Sequence, residues 1–118
     1  MHSIRIDRVS QQMREEIASI VQFEVKDPGI GFVTITKVEL SKDLSSGKVG
    51  FSCLGDAVAR ERAQAALDRS AGYIRSLIKK RLRLKVIPQF TFLYDDTVEQ
   101  SIAMAAKLDQ LKSSPPEA

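Results

Sequence analysis

The feature that most constrains this 118-residue chain is a helical spacing of apolar residues over positions 57–81, crossed by a run of small ones. Ala63, Ala66 and Leu67 fall at core spacing before the crossing, and Ile74, Leu77, Ile78 and Leu82 after it. Between them stand Ser70, Ala71 and Gly72, which lower helix propensity and leave room for a bend. One unbroken helix would be about 37 Å long at about 1.5 Å per residue, long for so small a domain. The spacing therefore predicts two helical pieces, 57–69 and 71–81, meeting at a kink.

The same stretch segregates charge. Positions 69–85 hold seven cations (Arg69, Arg75, Lys79, Lys80, Arg81, Arg83 and Lys85) and no acid. The whole chain is only +3, so without these seven the remainder is net negative, at −4. Solvated helices usually interleave both signs, and a one-signed stretch is what a polyanion-binding face looks like in sequence. A basic surface helix lying on a membrane fits less well, because its apolar face carries no Trp or Phe and is needed for the core.

The rest of the chain reads as a scaffold. Val9, Met13, Ile17, Ile20 and Val21 form one apolar stripe and predict a helix over 6–24, which must end by Asp27-Pro28-Gly29. Positions 32–40 and 48–54 read as strands joined by a polar loop, 41–47, with Gly47 at a positive φ. Phe90 to Tyr94 alternates as a third strand. Asp95-Asp96-Thr97 then caps a final helix over 98–111, and residues 112–118 are expected to form a short disordered tail. The expected fold class is α+β, one domain over 1–111, with a three-stranded sheet and helices packed on one face.

Little here supports catalysis. Asp43, Asp56, Asp95 and Asp96 sit where turns and caps need them, and no Walker-type loop or Gly-x-Ser-x-Gly elbow is present. One Cys and one His are too few for a structural zinc site, and Cys53 lies in an apolar strand pattern that makes it a small core residue. Neither a cofactor nor a metal is expected. No apolar run approaches the roughly 20 residues of a membrane span, and a cytoplasmic protein is the default. Gly47-Lys48-Val49-Gly50 matches the Gly-x-x-Gly by which KH domains clamp nucleic acid, but it falls between two strands and reads as a hairpin turn.

Taken together, the residues resemble bacterial ribosome-binding factor A over about 5–108. The likeness is carried by Arg5-x-x-Arg8-Val9, by Asp27-Pro28, and by Val33-Thr34-Ile35-Thr36-Lys37-Val38. Ser41-x-Asp43-Leu44 and Leu54-Gly55 extend it. Its most specific part runs from Gly72-Tyr73-Ile74-Arg75 through Leu82-Arg83-Leu84 to Pro88-x-Phe90-x-Phe92-x-x-Asp95. The resemblance implies a type II KH-like domain in helix-strand-strand-helix-kink-helix-strand order, with an extra C-terminal helix. It implies a non-enzymatic monomer that binds the small (30S) ribosomal subunit and 16S rRNA during late maturation and rRNA processing. Cold adaptation and release by an assembly GTPase are implied as well. Gly29 stands where an arginine is common in that family.

The candidate RNA-binding residues are then Ser70, Ala71 and Gly72 at the kink, where a sugar-phosphate backbone comes close. Arg75, Lys79, Lys80, Arg81, Arg83 and Lys85 are expected to contact phosphates, with Arg5 and Arg8 as secondary contacts. A bulky residue at position 72 is expected to damage fold and binding together. Charge reversal at Lys79 and Arg81 is expected to abolish binding without touching the fold. The alternative is a protein-protein adaptor that offers the same basic face to an acidic partner.

Overall fold

A computed structural model describes residues 4–97 and residue 104. Its first helix, α1 (Ile4–Phe23), buries Met13, Ile17, Ile20 and Val21 along the stripe that the spacing predicts. It ends where Glu24 and Val25 both donate their backbone N–H to the Ile20 carbonyl. The Asp27 carboxylate then accepts from the Gly29 N–H at 2.9 Å, closing the turn that Pro28 forces.

Two strands follow, β1 (Val33–Leu40) and β2 (Ser46–Cys53), paired antiparallel. Their register shifts between Ile35 and Lys37, so Thr36 sits in a β-bulge. Asp43 organises the turn between them, accepting from Ser41 Oγ, Ser45 Oγ and the Ser45 N–H. The turn is tighter than the expected loop, and its positive φ falls on Leu44 (60°) rather than on Gly47. Gly47 and Gly50 lie inside β2, so the Gly-x-x-Gly is a stretch of strand and not a turn. Both serve close approach: a Cβ at Gly47 would meet Leu40 Cδ2 at 3.0 Å, and one at Gly50 would meet Thr36 Oγ1 at 2.7 Å.

The largest correction concerns the expected break between two helical pieces. Positions 57–82 form one uninterrupted helix, α2 (Ala57–Leu82), capped at its start by the Asp56 side chain, which accepts from the Ala59 N–H at 3.0 Å. The apolar stripe explains why. Ala63, Ala66 and Leu67 are buried, Ala71 packs on the same core, and Ile74 and Ile78 are fully buried. These positions stay in phase at steps of three and four straight through Ser70-Ala71-Gly72. A single glycine costs a helix about 1 kcal/mol, far less than the burial of that face returns. Gly72 itself is exposed, and a Cβ there would meet nothing within 4 Å, so no packing demand keeps it small.

The last described strand, β3 (Gln89–Tyr94), pairs parallel with β2, giving the order β1-β2-β3. Parallel neighbours need a crossover, and α2 supplies it. Residues 83–88, which alternate in sequence, form no strand and serve as the connection from α2. Inward-facing Ile35, Val38, Val49, Phe51 and Phe92 meet both helices on one face of the sheet. Phe51 is fully buried at the centre, edge-on to Tyr94 at 5.6 Å between ring centroids. Cys53 packs half-buried against this core, as its strand pattern predicts. The architecture is thus α+β with a three-stranded sheet, while the expected final helix, residue 104 apart, and the tail lie outside the described residues.

Candidate nucleic-acid interface

The seven cations of the basic stretch divide into two groups. Three are committed to the fold. Arg69 donates from Nε and Nη2 to the Asp27 carboxylate at 2.9 and 3.0 Å, tying the turn after α1 to the middle of α2. That pairing holds the Asp27 carboxyl below its ordinary range. Arg75 donates to the carbonyls of Ile87 (2.9 Å) and Pro88 (3.2 Å), which fixes the entry to β3. Arg81 reaches across to α1 and the residue that follows it, 3.1 Å from Glu16 and 3.6 Å from Glu24.

The other four are Lys79, Lys80, Arg83 and Lys85. All are exposed, and among the described residues none of their side chains makes a hydrogen bond or ion pair. They cluster where α2 ends and the chain turns toward β3. Arg83 caps the helix in the left-handed region (φ 51°, ψ 41°), its N–H bonded to the Lys79 carbonyl at 3.3 Å. Cations in a last helical turn also oppose the negative end of the helix macrodipole, which is worth about 0.3–1 kcal/mol each. Lys79, Lys80 and Arg81 fill that role.

Of the other candidates, Ser70 and Ala71 are half-buried, and Ala71 packs against the core, so within this trio only Gly72 presents open backbone. Arg8 is exposed on α1. Arg5 shares a cleft with Ile6, Val9, Lys42 and Leu44, at the β1–β2 turn. That turn is bonded in its own right to the start of β3, through the Gln89 N–H and the Ser45 carbonyl at 3.0 Å. Topology thus brings Lys42, an isolated loop cation in sequence, to the end of the sheet where the basic connection arrives. Charge clustering along the chain gave no sign of it.

Position 29, where the resemblance leads one to expect arginine, lies close to α2. A Cβ there would lie 3.0 Å from the Arg62 carbonyl and 3.2 Å from Ala66 Cβ. The turn lies close against α2, and any side chain at this site requires its neighbours to give by a few tenths of an ångström.

Residues 5–108 match the family described as ribosome-binding factor A. Ribosome-binding factor A of Staphylococcus epidermidis is 41% identical over 111 residues, covering 94% of this chain and 96% of the relative. That of Nitrosomonas eutropha is 37% identical over 103 residues, covering 87% and 88%. Among solved structures, the crystal structure of the Thermus thermophilus factor superposes with a TM-score of 0.68 at 26% identity, over 75% of this chain and 94% of that one. A homology model of the Thermus thermophilus factor, fitted into the cryo-EM map of a 30S complex, gives 0.62 at 27% identity over 73% and 90%. No helix among the described residues is long and apolar enough to cross a membrane.

Proposed function

The chain belongs to the ribosome-binding factor A family, and on that premise we propose that it is a non-enzymatic assembly factor of the small ribosomal subunit. It binds the 30S subunit through 16S rRNA during late maturation and rRNA processing, as a cytoplasmic monomer, and an assembly GTPase promotes its release. Its activity matters most in the cold, where rRNA refolds slowly. The single observation that carries the reading is the set of four exposed, unpaired cations at the end of α2: Lys79, Lys80, Arg83 and Lys85. Phosphate contact needs cations on a rigid element, and α2 and its cap supply one.

The unit β2-α2-β3, two parallel strands joined by a helical crossover, is the part we read as KH-like. Here an uninterrupted turn at Ser70, Ala71 and Gly72 stands where a KH domain has an interhelical loop. Gly72 is its point of closest approach for a sugar-phosphate backbone.

Equilibrium binding to purified small subunits, with and without nuclease digestion, tests the reading. Binding that disappears with the RNA supports it. Binding that survives digestion overturns it in favour of an acidic protein partner.

A further inference from the structure

Two described residues other than glycine adopt a positive φ, Leu44 at 60° and Arg83 at 51°. A Cβ makes this region unfavourable, and at the residue that ends a helix glycine is the ordinary choice. At Leu44 the fold supplies the reason. Its side chain is half-buried and shares the cleft lined by Ile6 and Val9. Arg83 has no such reason. Its side chain is exposed and makes no hydrogen bond or ion pair among the described residues.

Nor does the backbone need arginine there. The bond from the Arg83 N–H to the Lys79 carbonyl is one that glycine makes equally well. Lys79, Lys80 and Arg81 already oppose the helix dipole. What the left-handed cap achieves is a reversal that lets Leu82 and Leu84, on either side, both pack against the core. Arg83 therefore projects from a backbone pinned at both neighbours.

We propose that Arg83 is a positioning anchor for a single rRNA phosphate, its guanidinium kept at a strained helix cap where the fold alone would favour glycine. The inference rests on the RNA-binding reading of this face. A planar guanidinium donates two parallel bonds to one phosphate, and a pinned backbone leaves less freedom to lose on binding.

The test compares Arg83→Gly and Arg83→Lys by thermal melting and by affinity for purified small subunits across a salt series. Arg83→Gly is expected to melt at the same or a higher temperature while binding about tenfold more weakly. Its slope of log affinity against log salt should be shallower by about 0.7–0.9, the loss of one phosphate contact. Arg83→Lys should keep the slope and recover only part of the affinity. Wild-type affinity and slope in Arg83→Gly would overturn the proposal, as would weaker binding accompanied by a lowered melting temperature. Lys79→Glu with Lys80→Glu is the control. If that variant binds as wild type too, the RNA-binding reading itself fails; if it loses binding while Arg83→Gly does not, only the anchor fails.

Discussion

The Thr36 hydroxyl donates a 2.8 Å hydrogen bond to the Asp95 carboxylate, joining β1 to the residue that follows β3 across the central strand. Gly50, on that central strand, lies beneath the bond. A Cβ there would stand 2.7 Å from Thr36 Oγ1, 3.3 Å from Lys37 Cγ and 3.6 Å from Asp95 Cβ. Asp95 is meanwhile tied into the sheet by its own N–H, which bonds the Phe51 carbonyl at 2.7 Å. Bulge, glycine and carboxylate thus form one interdependent unit.

Gly50→Ala should destabilise the protein by about 1–3 kcal/mol, the usual cost of overpacking. The effect should shrink in a Thr36→Ala background, where the clashing oxygen is gone. Urea melts of the two single variants and the double variant measure the coupling. Equal costs in both backgrounds would show that the clash lies elsewhere.

Acid should loosen this unit. The Asp95 carboxyl sits at about 2, below its ordinary 3.8, held there by the Thr97 side chain, then by the Thr97 N–H and the Thr36 hydroxyl. Asp43 is likewise lowered to about 2, chiefly by the Ser45 hydroxyl and N–H and by Ser41. A folded value below the unfolded one means the stabilisation is complete above about pH 4 and drains away as the pH falls toward about 2. Thermal melts from pH 7 to 2 should therefore be level at first and fall steeply at the acid end. Asp95→Asn and Asp43→Asn should each flatten that fall, and an unchanged acid limb in both would contradict the assignment.

Arg81 separates folding from binding. Replacing it with Glu sets a third carboxylate beside Glu16 and Glu24, so Arg81→Glu should lower stability by roughly 1–3 kcal/mol, with partial rescue by Glu16→Lys. Lys79→Glu and Lys80→Glu break no side-chain pairing and lose only the helix-dipole interaction, so each should cost about 1 kcal/mol. Charge reversal at Arg81 is accordingly a poor probe of binding, against what its place in the basic run suggests.

Gly72→Ala should stabilise α2 by about 0.5–1 kcal/mol, because an exposed helical glycine with open space around it gains from a Cβ. A chemical-denaturation midpoint decides it. A loss of stability would mean that the helix needs a bend at this position after all.

The elements were legible in the sequence wherever burial follows a strict period. Met13, Ile17 and Ile20 on α1, and Ile74 and Ile78 on α2, lie where their spacing puts them. The division of 57–81 into two helical pieces fails because propensity at Ser70-Ala71-Gly72 says nothing of the phase of the stripe around it, and that phase carries one helix through. The turn was misplaced because glycine suggests a positive φ, whereas Gly47 is needed for its missing side chain beneath Leu40 and Phe90. In the basic stretch, charge was visible but pairing was not. The partners of Arg69 and Arg81 lie 42 and 65 positions away, and only the tertiary fold shows which cations are already spoken for.

The most direct measurement is a sucrose-gradient profile of a lysate supplemented with tagged protein, wild type against Lys79→Glu with Lys80→Glu, blotted fraction by fraction. The expected result is wild-type protein with free small subunits and absent from whole ribosomes, and the charge-reversed variant at the top of the gradient though still folded. Wild-type protein that stays at the top at low salt, or a reversed variant that sediments unchanged, would contradict the assignment of this face to the small subunit.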